Sequence, residues 1–403
     1  MTARNTAATN TTATYGWVER AFHWAIALLI LTAIVLGTLA HDAPFDTDAA
    51  LARKAFLFSF HKTVGVAIFF VALARILWAV TQPRPAPLHP DRRAETFLAG
   101  AVHWVLYGSL LLVPALGWAH HATAEGFAPI WWPFGQSLPF LPKDPALSET
   151  LATLHVLFEN VMVGALVLHV AGAVKHAVID RDATLARMWR GTDPGPLRVV
   201  RGHALPLVAA LAVWAATLGL GLTLGSEPSQ AVPAETASVT GASTWAVQEG
   251  TLSITVTQLG SAVTGTFADW QAAIDFDETP RADGSHGTVE VGVSTGSLTL
   301  GSVTTQATGA EFLASDEFPQ ATYRARLLPD GAGHVAEGTL SLRGVEVPLR
   351  LPFTLEIDGD TARMTGGATL GRRDFGMGET YPDESSVGFA VDLTVALTAT
   401  RVP

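Results

Sequence analysis

Five apolar stretches decide what this chain can become. Each is about as long as, or longer than, the roughly 20 residues that carry a helix across a bilayer at ~1.5 Å per residue. They run over residues 17–40, 55–79, 97–119, 151–177 and 203–225. In lipid a helix satisfies its own backbone, so residues 1–225 are expected to form a helical membrane bundle. The fifth stretch carries no Asp, Glu, Lys or Arg between Arg201 and Glu227, whereas the second and fourth contain Lys62, Arg75, Glu159 and Lys175. Charges inside a span usually face a bundle interior or a cofactor. The first stretch is long and no small-residue cleavage site closes it, so it reads as a retained helix rather than a signal peptide.

Basic residues near the ends of the spans set the orientation. Arg84, Arg92 and Arg93 follow span two, and Arg181, Arg187, Arg190, Arg198 and Arg201 follow span four, so those loops are expected in the cytoplasm. The opposite loops hold Asp42, Asp46, Asp48, Glu125, Asp144 and Glu149 against only Arg53, Lys54 and Lys143. The N-terminus is then cytoplasmic, and everything after span five lies on the outer, periplasmic side of an inner membrane. Charge divides the chain in the same place: from Glu227 onward 9 Lys+Arg stand against 23 Asp+Glu, and before it 16 stand against 13. Nothing in this acid-rich balance points to nucleic acid.

Residues 226–244 are small and polar and read as a linker. Beyond them, segments starting at Leu252, Thr339 and Phe389 alternate apolar and polar residues, with Gly-containing breaks between most such runs. Seven or eight strands of this kind suggest a sandwich or a closed barrel. A small barrel is either filled by side chains or holds one ligand, and Phe318, Phe353, Phe375 and Phe389 suit both. Arg343 and Arg373 fall at turns, where salt bridges are the ordinary expectation.

The chain has no cysteine, which removes disulfides, iron–sulfur clusters, thiolate catalysis and covalent haem attachment together. The spans do contain His23, His61, His155 and His169. His155 and His169 lie 14 residues apart on one helix, which returns them to within roughly 40° of one face and separates them by about 21 Å along the axis. His23 lies near the inner start of span one and His169 near the inner end of span four, so they share a depth. His61 and His155, each near the outer start of its span, share the other. Because the orientation came from arginines, this pairing is an independent check. Two depth-matched imidazole pairs suit two haems, one per tier, better than a zinc site or a proton path, neither of which needs two tiers. His103 sits at the inner level of span three with no partner left over, and could orient a ligand, contact a quinone or simply pack. His176 is expected as a solvated histidine at the inner boundary. Arg20, Lys62, Arg75 and Lys175 could bind haem propionates, or snorkel to headgroups.

The stretches Glu19-Arg-Ala-Phe-His-Trp, His61-Lys-Thr-Val-Gly, Ala101-Val-His-Trp-Val-Leu-Tyr and Leu168-His-Val-Ala-Gly-Ala-Val-Lys-His, followed by Asp180-Arg-Asp-Ala-Thr-Leu-Ala-Arg-Met, resemble the bacterial cytochrome b561 family over about residues 14–190. The resemblance implies a four-helix bundle in which His23, His61, His155 and His169 bind two b haems. It also implies electron exchange with membrane quinone, and oxidation of superoxide with reduction of ubiquinone as one such activity. Ser315-Asp-Glu-Phe-Pro-Gln-Ala-Thr-Tyr, Gly338-Thr-Leu-Ser-Leu-Arg-Gly-Val and Gly371-Arg-Arg-Asp-Phe-Gly, with Trp245 near the start, resemble YceI-like domains over about 245–402. These imply a lipocalin-like antiparallel barrel around a long isoprenoid chain.

The expected organisation is therefore a dihaem helical domain over 1–202, a fifth transmembrane helix over 203–225, a linker over 226–244 and an all-β barrel over 245–403. The expected function is electron transfer between an isoprenoid quinone such as ubiquinone and a second donor or acceptor, with a redox partner protein as a further expectation. The alternatives are a lipid carrier for which the cytochrome half is an anchor, and a membrane subunit relaying electrons for a separate dehydrogenase.

Overall fold

The five apolar stretches fold as helices in a computed structural model that describes residues 4–124, 128–133, 136–198, 204–225, 239–241, 243–331 and 333–402. Most of the expected linker, and the loop charges Glu125, Arg201 and Glu227, lie outside the described residues. Helices α1 (Trp17–Asp42), α2 (Asp48–Val80), α3 (Arg93–Thr123) and α4 (Pro145–Lys175) are followed by a π turn (His176–Asp180), a short α5 (Thr184–Arg190) and α6 (Leu205–Gly225). Five of them are long and apolar enough to cross a membrane, and the chain is a multi-pass membrane protein. Several begin earlier than hydropathy alone suggests, because polar first turns carry the helix beyond its apolar stretch. α4 starts on a cap, with Asp144 Oδ1 accepting from Leu147 N at 2.9 Å and Pro145 at the first helical position.

Four helices share one core. Ile26 and Ile30 of α1, Val64 and Ile68 of α2, Leu110 and Val113 of α3, and Leu154, Phe158 and Met162 of α4 are buried together. Large apolar side chains on the opposite faces, such as Leu28, Leu31, Val35, Val167 and Val170, stay exposed, as lipid-facing positions must. α6 packs against α3 and α4. Small residues permit the approach: a Cβ at Gly108 would lie 1.9 Å from the Trp214 ring, and one at Gly221 would lie 2.3 Å from Leu154.

The acid-rich C-terminal part is a closed antiparallel eight-strand barrel, which decides between the two β architectures left open by the sequence. Strands β1 (Trp245–Gln258), β2 (Ser261–Phe267), β3 (Trp270–Phe276), β4 (Gly287–Ser294), β5 (Leu298–Thr299), β6 (Gln320–Asp330), β7 (Gly333–Leu342), β8 (Val345–Asp358), β9 (Thr361–Gly371) and β10 (Val387–Arg401) follow in order. A one-turn helix α7 (Thr304–Thr308) lies between β5 and β6. Closure comes from β1 pairing with β10, from Trp245 opposite Arg401 to Gln258 opposite Val387. β2 and β5 extend the long β1 beside the ring. Closure leaves no long edge to be covered.

Within the barrel, Trp245 is 2 % exposed and donates from Nε1 to the Phe276 carbonyl. The two turn arginines depart from the expected salt bridges. Arg343 donates to the carbonyls of Gly376 and Ala310, and Arg373 lies over the Phe389 ring at 4.9 Å. By contact, the described residues form two compact units, one holding most of the helices and one holding residues 43–56 with the barrel.

The Gly108 contact yields a prediction. Gly108→Val must displace Trp214 and loosen α6, at an overpacking cost of about 1–3 kcal/mol. A lower thermal midpoint with unchanged bound pigment is expected from scanning the purified protein in detergent.

Candidate functional site

The four span histidines converge as two pairs. His23 of α1 and His169 of α4 have ring centres 6.0 Å apart, and His61 of α2 and His155 of α4 have theirs 6.4 Å apart. Metal–nitrogen bonds of about 2 Å, plus roughly 1.1 Å from nitrogen to ring centre, put two imidazoles on opposite sides of one iron about 6.2 Å apart. Both separations match that span. Direct imidazole–imidazole hydrogen bonding would leave no room for an atom between them.

The His61–His155 pair also shows which nitrogen is free. His61 Nδ1 lies 2.8 Å from the Ala33 carbonyl and His155 Nδ1 lies 2.9 Å from the Val113 carbonyl. A carbonyl only accepts, so both Nδ1 atoms carry the proton and both Nε2 atoms keep a lone pair for a metal. One turn beyond each carbonyl stands a glycine against the same ring. A Cβ at Gly37 would lie 3.0 Å from His61, and one at Gly117 would lie 2.9 Å from His155. Thus α1 and α3 present the same socket, a carbonyl and a glycine four residues apart, to the histidine of the next helix. Gly65, one turn past His61, has no atom within 4 Å of where its Cβ would point.

Beside the His23–His169 pair, His103 is not isolated. Its ring centre is 5.0 Å from that of His169 and 6.5 Å from that of Tyr107, and its Nδ1 is bonded to the Ala99 carbonyl of its own helix. Its depth was legible in the sequence, but its neighbour was not.

The four candidate cations all have protein partners. Arg75 and Glu19 form an ion pair at 3.0 Å with both side chains buried, and the Arg75 guanidinium lies 5.5 Å from the Tyr107 ring centre. Arg20 donates to the carbonyls of Gly16 and Asn5, and Lys62 Nζ lies 3.3 Å from His121 Nδ1. Lys175 bridges Glu95 and Asp180, each at 2.8 Å. A propionate would have to share or replace these partners.

His176, expected as a solvated boundary residue, instead belongs to a half-buried network that joins the loops after spans two and four. Asp182 Oδ2 accepts from His176 Nδ1 at 2.7 Å and from His89 Nε2 at 3.0 Å, while its Oδ1 accepts from Thr184 N. His176 Nε2 lies 3.0 Å from Glu95, and Arg92 reaches Asp180 at 3.1 Å. Burial pushes the Asp182 carboxyl up, but the bonds from Thr184, His176 and His89 outweigh it and bring it to about 2. Its contribution to stability is complete above about pH 3.8, the ordinary aspartate value, and is lost as pH falls toward 2. His89 carried no signal of its own in the sequence, and Asp182 was visible only within the Asp180-Arg-Asp motif.

The barrel encloses a cavity lined almost wholly by apolar side chains, among them Leu252, Ile254, Val291, Leu340, Leu351 and Leu393. Phe353 and Phe375 line it, whereas Phe318 and Phe389 do not. Its few polar members include Gln258, Thr295, Gln306, Tyr323 and Arg372. Arg372 is spent on structure, donating to the carbonyls of Gly388, Met377, Gly378, Tyr381 and Val387. Such a chamber suits a long apolar chain and offers no cation to an anionic head.

Comparisons with known proteins divide the chain at the same place. Residues 14–191 match the family model for prokaryotic cytochrome b561, and residues 244–399 match that for the YceI-like domain. Cytochrome b561 homolog 2 of Escherichia coli (strain K12) is 31% identical over 192 residues, covering 45% of this chain and 93% of that protein. A probable superoxide oxidase CybB of Yersinia pestis is 27% identical over 175 residues, covering 43% and 94%. Among solved structures, Burkholderia cenocepacia BcnA matches with 24% identity and a TM-score of 0.35, covering 38% of this chain and 96% of that one. A Campylobacter jejuni YceI protein matches with 18% identity and a TM-score of 0.30, covering 34% and 85%.

The glycine sockets are testable. Gly117→Val pushes the His155 ring off its carbonyl, so if this pair holds a haem, bound haem measured as the pyridine haemochrome should fall. An unchanged content would show that the socket does not hold a ligand.

Proposed function

The chain belongs to the prokaryotic cytochrome b561 family and carries a YceI-like domain after its membrane helices, and on that premise we propose that it is a dihaem b-type membrane cytochrome transferring electrons between isoprenoid quinone and a second donor or acceptor. The observation that carries this reading is the pair of imidazole couples, 6.0 and 6.4 Å between ring centres, with the outer two rings turned so that Nε2 is free. His23 and His169 would hold an inner haem b, and His61 and His155 an outer one. Bound haem supplies one-electron redox chemistry, while the protein sets position, burial and ligand basicity. The Ala33 and Val113 carbonyls raise the basicity of the outer ligands and lock their orientation. α4 supplies one ligand to each tier, so its rigidity sets the distance between them. His103, against His169, is the flanking residue we assign to orient that ligand or to contact quinone. The Glu95–Lys175–His176–Asp182 network closes the bundle at the inner end.

We assign residues 1–202 to the dihaem domain, 203–225 to the fifth span, 226–244 to a linker and 245–403 to the barrel. The arginines after spans two and four support an inner-membrane protein with a cytoplasmic N-terminus and a periplasmic barrel. The largely apolar cavity supports an isoprenoid quinone or a similar lipid as the barrel's ligand, kept near the membrane half at the high local concentration that a short tether provides. One relative bears the name of a superoxide oxidase, and superoxide is accordingly a substrate to test as the electron donor, with quinone as acceptor. The same cavity also favours a second reading, a lipid carrier whose cytochrome half is an anchor.

Haem content separates these readings. We expect two b haems per chain, halved in His61→Ala and halved in His169→Ala, because each substitution removes a different tier, together with fast haem reduction on adding quinol. A chain with no haem, or with haem that quinol does not reduce, would leave the lipid carrier as the function.

A further inference from the structure

The barrel cavity has one polar end, built from side chains far apart in sequence. Gln258, at the end of β1, is 3 % exposed and lines the cavity, as does Gln306 of α7 beside it. Gln258 Nε2 lies 3.1 Å from Gln306 Oε1, and Gln306 Nε2 lies 3.0 Å from the Tyr381 hydroxyl. Tyr381 donates to the carbonyl of Phe45, which belongs to the same compact unit. Burial pushes the Tyr381 hydroxyl up, so it keeps its proton.

These contacts run in one direction only. The Phe45 carbonyl can only accept, so the single Tyr381 proton is spent there and its oxygen must accept from Gln306. Gln306 therefore turns its NH2 group to Tyr381 and its carbonyl oxygen to Gln258, and Gln258 must answer with its own NH2 group. Both amide orientations, normally ambiguous, are set by the chain of bonds. The chain ends on Gln258 Oε1, which is buried and has no hydrogen-bond partner among the described residues. An amide oxygen left so in an apolar chamber is costly, by about 1–3 kcal/mol. Other polar groups nearby do not supply a proton to it: the Arg372 donors go to main-chain carbonyls, and Thr295 donates to the Phe318 carbonyl.

We propose that Gln258 Oε1 is the head-group acceptor of the cavity, so that the barrel selects a neutral isoprenoid carrying a hydroxyl, a quinol or an isoprenoid alcohol, over one whose head only accepts, a quinone or an aldehyde. This rests on the reading of the cavity as an isoprenoid site. A hydroxyl completes the chain of bonds. A carbonyl head brings a second acceptor against the first and leaves both unpaired. Turning the Gln258 amide to suit a carbonyl would break the bond to Gln306 and set two oxygens face to face. An isoprenoid quinone held here would therefore be held preferentially in its reduced state.

The test is titration calorimetry on the full-length protein in detergent with geranylgeraniol and with the corresponding aldehyde, geranylgeranial, which differ only at the head. The wild type should bind the alcohol about tenfold more tightly, the loss of one buried hydrogen bond. Gln258→Leu should bind both alike, close to the wild-type affinity for the aldehyde. Gln306→Leu, which frees the Gln258 amide to turn, should also shrink the preference and serves if the first variant does not fold. Equal binding of the two probes to wild type overturns the head-group assignment and leaves the isoprenoid cavity standing, as does a preference that survives Gln258→Leu. If neither probe binds, the isoprenoid reading itself fails, and the assignment with it.

Discussion

The pitch of one helix governs the membrane half. α4 places His155 and His169 fourteen residues apart, nearly on one face and about 21 Å apart along the axis. The other two histidines follow that ruler, since His61 meets the first and His23 the second. The requirement that a backbone in lipid bond to itself keeps the ruler stiff along the span. Adjustment falls instead to side-chain contacts at the helix interfaces. The His61 and His155 rings are turned by the carbonyls of Ala33 and Val113 and admitted by Gly37 and Gly117.

What could be read from the sequence is what depends on distance along the chain. Span positions follow from hydropathy, tier membership from depth, and strand character from alternation, and in these respects α1–α4, α6 and the barrel strands lie where they were expected. What could not be read is rotation about a helix axis and closure of a sheet. His103 was placed at the right depth, but only the packing of α3 on α4 sets its ring beside that of His169. His176 looked like a boundary residue until a π turn and the left-handed Arg181, with φ 54°, brought Asp182 back against it. Gln258, Gln306 and Tyr381 are separated by 48 and 75 residues along the chain, and barrel closure alone makes them one row.

The two halves follow opposite rules for polar groups. The bundle pairs the buried charges of Glu19 and Arg75 and sets four histidines ring to ring between its helices. The barrel turns apolar side chains inward along every strand and keeps one short directed row of amides at one end. A bundle of this kind suits a compact prosthetic group gripped from two sides. A chamber of the second kind suits a flexible chain that is recognised at its tip.

The repeated sockets have a genetic consequence. The groups that orient His61 and His155 are main-chain carbonyls, and no codon change at position 33 or 113 deletes a carbonyl. Apart from the histidines themselves, substitution reaches this pair through the clearance beside the rings, at positions 37 and 117, where an added Cβ would stand 3.0 and 2.9 Å from an imidazole. The bond therefore survives any apolar replacement that packs at positions 33 and 113, whereas the space survives little beyond glycine at positions 37 and 117.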